Sequence, residues 1–172
     1  MRIEYYRKLK DVSRLSRVPS LRSYNVLEHT FMVVLLFRYF AKLEDVAYDM
    51  QILDRVMHHD ILESVTGDLP HDVKHFNVKT ECAWDTIEHE VASVSMHREM
   101  SLYTDIEIRA MMSERQYKLF KACDLLDLWI FLKEEQGLGN THRILHKIVL
   151  KCEELIKGKF HFIDTYMDEY KF

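Results

Sequence analysis

The segment HHDILESVTGDLP, from His58 to Pro70, gathers two adjacent histidines with Asp60, Glu63 and Asp68. Neutral imidazole and carboxylate are donors that divalent metals take up together. His59 and Glu63 stand four apart and Asp60 and Glu63 three apart, so on a helix each pair shares a face. A metal shell needs more donors than these, and two residues elsewhere are candidates. His29 follows Glu28 in the first turn of an apolar run, and Asp124 lies inside KLFKACDLLDLWIFL. A carboxylate in so apolar a helix needs a partner, and a cation is an efficient one. A metal held by such a set lowers the pKa of its bound water and polarises a phosphoryl oxygen. A nearby carboxylate can take the water's proton. Cationic side chains offset charge on the phosphate as it is displaced.

The order His29, then His59-Asp60, then Asp124 resembles the HD-domain superfamily of metal-dependent phosphohydrolases. NVLEHT is similar to that family's first-histidine motif, HHDILESVTGDLPHDVKHFN to its HD-loop segment, and KACDLLDLWIFLKEEQ to its final-aspartate helix. Within the superfamily the likeness is to the small 5'-deoxynucleotidases and to the compact phage-type dATP triphosphohydrolases, and it covers residues 10 to 140. The resemblance implies an all-α HD-domain helical bundle in which His29, His59, Asp60 and Asp124 hold a divalent metal ion (Co, Mn, Zn or Mg). Glu63 would position or activate a water. Asp68 would contact the sugar or assist the leaving oxygen. Arg17 and Lys74 would meet phosphate or ribose. The deoxynucleotidases usually carry an Arg-Trp pair ahead of the first histidine; here Arg17 is followed by Val18, and the stretch to His29 reads as shortened. The implied reaction is hydrolysis at the 5'-phosphates of 2'-deoxynucleotides, releasing orthophosphate or triphosphate, by a homo-oligomer. Two rival readings are a non-catalytic nucleotide sensor or adaptor that keeps an HD-type site, and an HD phosphodiesterase acting on cyclic or oligonucleotides.

Long helices must position these residues. MRIEYYRKLKDVSRLSRV has apolar residues about every third position, which predicts a helix up to Pro19. RSYNVLEHTFMVVLLFRYFAKL is a second, with Ser23 or Asn25 as its N-cap and Glu28 three residues after Asn25. DVAYDMQILDRVMHHDILESV predicts a third that carries His59, Asp60 and Glu63 together, ended by Gly67 and Pro70. Further helices are expected over TECAWDTIEHEVASVSMHREMS, SERQYKLFKACDLLDLWIFLKEEQG and NTHRILHKIVLKCEELIKGKF. On the third helix His58 points about 100° away from His59, behind the shell or at the surface. Asp127 reads as a surface or interface carboxylate, and His142 with His146 as an ordinary helix-face pair.

The whole chain, residues 1–172, reads as one domain, with 48% hydrophobic residues and only four glycines and two prolines. A net charge of −4 argues against gripping long nucleic acid by its phosphates, though a single nucleotide needs only a few local cations. Cys82, Cys123 and Cys152 form no C-x-x-C pair and read as buried, reduced thiols. The apolar run FMVVLLF is too short to span a bilayer, and MRIEYYRKLK lacks the apolar stretch of a signal peptide. These features place the protein in the cytoplasm as an expectation.

Overall fold

In the computed structural model, which describes residues 3–69, 77–96 and 102–171, helices carry the fold. They are α1 (Ile3–Leu9), α2 (Val26–Leu43), α3 (Met50–His58), α4 (Glu63–Thr66), α5 (Val78–Glu90), α6 (Asp105–Met111), α7 (Glu114–Gly137), α8 (Arg143–Ile156) and α9 (His161–Glu169). Six residues wound as a π-helix, Val91–Met96, continue α5. No strand forms among the described residues beyond one isolated bridge, Ser13 to Asn25. Among the described residues no helix is long and apolar enough to cross a membrane.

α2 and α7 form the central pair, with α3 against α2 and α8 against α7. Both central helices begin on side-chain caps that fill orphan amides of the first turn. The Asn25 side chain accepts the Glu28 amide at 3.0 Å. Ser113 and Gln116 form a reciprocal box, the Gln116 amide donating to Ser113 Oγ at 3.3 Å and the Ser113 amide to Gln116 Oε1 at 2.8 Å. α2 ends where Asp45 takes a left-handed backbone, φ 52°, and the Val46 amide reaches back to the Ala41 carbonyl at 2.8 Å. Phe37, Phe40, Leu119, Phe120, Leu126 and Leu132 are fully buried between the helices. Each such side chain stabilises the fold by roughly 1.5–3 kcal/mol through burial.

Three expected elements are revised. The N-terminal helix stops at Leu9 instead of running to Val18. From there the chain turns and lies antiparallel to the strand-like entry into α2: the Arg14 amide donates to the Tyr24 carbonyl at 2.8 Å and the Val26 amide to the Val12 carbonyl at 3.0 Å. This arm, residues 10–25, is fastened to the end of α7 by Glu135. The Glu135 carboxylate is fully buried. It accepts the Leu21 amide at 2.6 Å, the Arg22 amide at 3.1 Å and the Asn140 side-chain amide at 2.9 Å.

The third helix is also shorter than its sequence pattern. α3 closes at His58, and the chain tightens to bonds three residues apart (Ile61 amide to His58 carbonyl, Glu63 amide to Asp60 carbonyl, both 3.0 Å) before α4. The cause is local. His59 Nδ1 donates to the Val56 carbonyl at 2.8 Å, the acceptor that the Asp60 amide would use in a continuing helix. Ile61 and Leu62 then anchor the turn in a small second core with Tyr5, Leu9, Val26 and Ala92. Finally, the last predicted helix ends at Ile156, ahead of Gly158 (φ 80°), and α9 is a further helix beyond it. Among the cysteines, Cys123 and Cys152 are buried as expected, whereas Cys82 is exposed.

Candidate metal centre

Four side chains from three parts of the chain meet where the first turn of α2, the α3–α4 turn and the middle of α7 converge. His29 comes from α2 and is fully buried. Its Nε2 lies 3.1 Å from Asp124 Oδ1, 3.4 Å from His59 Nε2 and 3.5 Å from Asp60 Oδ2. His59 Nε2 lies 3.2 Å from Asp60 Oδ2. One donor atom each from His29, His59 and Asp124 falls within a 4.8 Å span. Donors bonded at about 2.1 Å to one ion sit roughly 3.0–3.4 Å apart in octahedral or tetrahedral arrangements. Three of the four spacings, 3.1, 3.2 and 3.4 Å, fall in that range, and the fourth, 3.5 Å, lies just above it.

The outer contacts fix which ring nitrogen faces the centre. His29 Nδ1 donates to Asp127 Oδ2 at 2.7 Å, and the Tyr24 hydroxyl donates to the same oxygen at 2.5 Å. His59 Nδ1 is held by the Val56 carbonyl. With both Nδ1 positions protonated, both Nε2 lone pairs point at the centre, the orientation that metal-ligating histidines take from their outer hydrogen bonds. The donor set therefore fits a divalent cation.

Electrostatics agree. Burial opposes ionisation of Asp124, yet Lys121, 2.8 Å away, and the two histidines hold its carboxyl well below the usual carboxylate range. Burial likewise opposes Asp60, but His59, Arg14 and His29 pull it down. Glu63 behaves in the opposite way. Burial pushes it well above the usual range, and Asp60, Asp68 and Asp124 add to the shift against the pull of Arg14. Its Oε2 is buried without a hydrogen-bond partner among the described residues. Asp68 is raised by burial and by Asp60, although the Leu15 backbone amide and Arg14 work against the rise. Four carboxyl groups near the centre, Asp60 and Asp124 driven to ionise and Glu63 and Asp68 driven toward keeping their protons, form the asymmetric set that acid–base chemistry uses.

The structure thus brings together His29, His59, Asp60, Asp124, Glu63 and Asp68. Glu63 reaches the site from α4, across the tight turn, and not from one continuous helix face. Arg17 is exposed and carries no ion pair among the described residues. The cation that enters from this arm is Arg14, whose Nη1 lies 2.8 Å from Asp60 Oδ2. Arg14 is followed by Leu15, in a left-handed backbone at φ 56°. The arginine that reaches the centre from this arm is therefore Arg14, with the aliphatic Leu15 after it, and not Arg17. Lys74 lies outside the described residues.

The sequence reading missed four participants. Asp127 is not a surface carboxylate; it is buried and orients His29. Tyr24 shares that acceptor. Lys121 pairs with Asp124, and Arg14 with Asp60. The spacing K-x-x-D-x-x-D over Lys121, Asp124 and Asp127 marks one helix face and was the available signal. His58 is buried, not at the surface: its Nδ1 contacts the Asp54 carbonyl at 2.7 Å and its ring packs against Tyr6 and Tyr103. His142 caps α8, accepting the Ile144 amide at 3.3 Å. A cavity beside the centre is lined by His59, Asp60, Glu63, Trp84, Phe120 and Lys121, so the charged groups border two aromatic walls.

A family model described as YfbR-like 5'-deoxynucleotidase matches residues 3–170. A 5'-deoxynucleotidase of Klebsiella pneumoniae is 27% identical over 154 residues, spanning 81% of this chain and 75% of that protein. Among solved structures, the cyanophage S-2L HD phosphohydrolase DatZ, bound to dA and one catalytic Zn2+ ion, superposes with a TM-score of 0.70 at 17% identity, over 99% of this chain and 98% of that one. An HD-domain phosphohydrolase of Listeria innocua gives a TM-score of 0.73 at 15% identity, over 97% and 84%. The fold is the all-α HD-domain bundle.

Proposed function

Because this chain belongs to the YfbR-like 5'-deoxynucleotidase family, we propose that it is a metal-dependent phosphohydrolase that removes the 5'-phosphate from 2'-deoxynucleoside monophosphates, working as a single-domain homo-oligomer. One observation carries the reading. His29 Nε2, His59 Nε2 and Asp124 converge, with Asp60 beside them, and both histidines are held by Nδ1 so that Nε2 is free to ligate.

In this mechanism His29, His59, Asp60 and Asp124 hold the cation. When bound, a divalent ion lowers the pKa of a coordinated water and polarises the phosphoryl oxygen. Glu63 stands beside the ligands with a carboxylate oxygen that has no partner among the described residues, and burial raises its pKa, so its ionised form is suited to take the attacking water's proton. Arg14 and Lys121 flank the carboxylates Asp60 and Asp124 and provide positive charge for the phosphate. Asp68, on the loop after α4 and close to Leu15, is placed for the sugar or the leaving oxygen. Lys74 remains a proposed phosphate contact. Arg17, exposed on the arm, is the weaker partner for phosphate than Arg14.

A triphosphohydrolase is the second reading, favoured by the extra cation Lys121 at the centre, which a longer phosphate chain would use. A turnover panel separates the two. The protein is stripped with chelator and reloaded with cobalt, manganese, zinc or magnesium. Each form is offered deoxy- and ribonucleoside mono- and triphosphates, with products resolved by chromatography. Orthophosphate from monophosphates supports the proposal. Intact triphosphate from a deoxynucleoside triphosphate replaces it with the second reading. No metal-dependent product from any of them overturns both in favour of a sensor or adaptor.

The outer contact of His29 gives a separate expectation. Asp127→Ala leaves every proposed ligand in place but takes away the acceptor for His29 Nδ1. Metal affinity should fall about 10- to 100-fold, read by competition with a chromogenic chelator. Unchanged affinity would mean that Asp127 serves the fold alone.

A further inference from the structure

The eight exposed positions of α2 are Leu27, Glu28, Phe31, Met32, Leu35, Arg38, Tyr39 and Lys42. Five of them are large and apolar, and Phe31 and Tyr39 are 62% and 59% exposed. Leu27, Phe31, Leu35 and Tyr39 follow at four-residue steps, a continuous stripe about 18 Å long. The rest of the helix already faces the core through Val33, Val34, Phe37, Phe40 and Ala41. A stripe of this size on a helix that needs no further burial marks an interaction surface.

The charges on this face say what covers it. The acid, Glu28, lies at the N-terminal end, and the two bases, Arg38 and Lys42, lie at the C-terminal end. None of the three forms an ion pair among the described residues. Such a face is complementary to itself turned end for end. A twofold axis beside Leu35 sets Leu35 against its own copy and Phe31 against Tyr39. It also sets Glu28 of each copy against Lys42 of the other, with Arg38 next to that pair. An isologous interface requires this correspondence, in which each residue meets its partner twice.

We infer that the exposed face of α2 is the twofold interface of a homodimer, with two α2 helices antiparallel across Leu35. The inference deepens the homo-oligomer reading above and rests on it. The apolar stripe supplies the centre, and the charge pairs at its ends fix direction and register, as rim charges do.

The test uses the full chain, loaded with metal, in sedimentation velocity at micromolar concentration. The parent protein is expected to sediment as a dimer or as a larger assembly built from dimers. Leu35→Arg places two like charges on the axis and should halve the mass of the parent species while the helical circular dichroism is kept. Glu28→Lys alone should raise the dissociation constant about tenfold. The double variant Glu28→Lys with Lys42→Glu rebuilds the pair with signs exchanged and should return the constant to within about threefold of the parent. If Leu35→Arg loses its helical signal, the charge-exchange pair decides alone, and failure of the double variant to restore assembly overturns the interface. A parent that is monomeric overturns both the interface and the homo-oligomer reading. An oligomer that neither Leu35→Arg nor Glu28→Lys weakens overturns this interface and leaves the homo-oligomer reading standing.

Discussion

Asp60→Ala is expected to abolish metal-dependent hydrolysis of deoxynucleotides, with turnover at least about a thousandfold below the parent. The figure follows from what is removed. Asp60 Oδ2 stands within 3.5 Å of both His29 Nε2 and His59 Nε2, so its loss opens the proposed metal shell. Polarisation by a held cation is worth several kcal/mol of barrier, and each 1.36 kcal/mol is tenfold in rate. The same substitution leaves Arg14 without its partner at 2.8 Å, so the phosphate contact loosens as well. Far-ultraviolet circular dichroism and thermal melting of the variant separate a lost centre from a lost fold. Hydrolysis that survives in a folded Asp60→Ala protein would reject the site assignment.

Glu63→Gln should act differently. The shell is untouched, so metal titration should read as in the parent, but kcat should fall about 10²- to 10⁴-fold for want of the base. Because the base must be ionised, parent turnover should decline as pH drops through the Glu63 pKa, and the residual activity of the glutamine variant should lack that limb. Stability should move the other way. Burial raises Glu63 above its unfolded value, so the folded state holds the carboxyl proton more tightly than the unfolded chain. Stability is then lost as pH rises from the ordinary carboxylate range through the folded pKa, and the loss is complete above it. Metal-free Glu63→Gln is therefore expected to melt above the metal-free parent at neutral pH. The gap should close once the pH is below the ordinary carboxylate range. A glutamine variant that is fully active would remove Glu63 from the mechanism.

The four residues that converge, His29, His59, Asp60 and Asp124, and the all-helical architecture were legible because both rest on local signals. His59-Asp60 and the T-G-D-L-P turn stand side by side in the chain, and an aspartate inside KLFKACDLLDLWIFL is conspicuous by its surroundings. The ends of helices were less legible. The apolar pattern runs on past Leu9, but tertiary pairing of Arg14 with Tyr24 and of Val12 with Val26 wins over it. The pattern also runs through His59, where a side chain takes the carbonyl that would have continued the helix. The arginine was misplaced for the same reason. Arg14 and Arg17 are equivalent in composition, and only the fold of the arm turns one inward. Asp127 was hidden because its partners, Tyr24 and His29, are about a hundred residues away in sequence.

The fastening of the arm by Glu135 bears on how often the protein is ready to work. Residues 10–25 are joined to the body through Arg14, Tyr24 and Arg22, and the amides of Leu21 and Arg22 are both held on that one buried carboxylate. Such a segment opens as a local unit, with a free energy well below that of global unfolding. Every opening carries Arg14 away from Asp60, so the competent fraction of molecules is set at Glu135, 113 residues along the chain from the Arg22 whose amide it holds. Weakening this latch with Glu135→Ala should speed amide exchange at Leu21 and Arg22 and raise the apparent KM in proportion to the lost fraction. The proposed metal ligands would stay in place while the enzyme spends more of its time without the cation proposed to meet the phosphate.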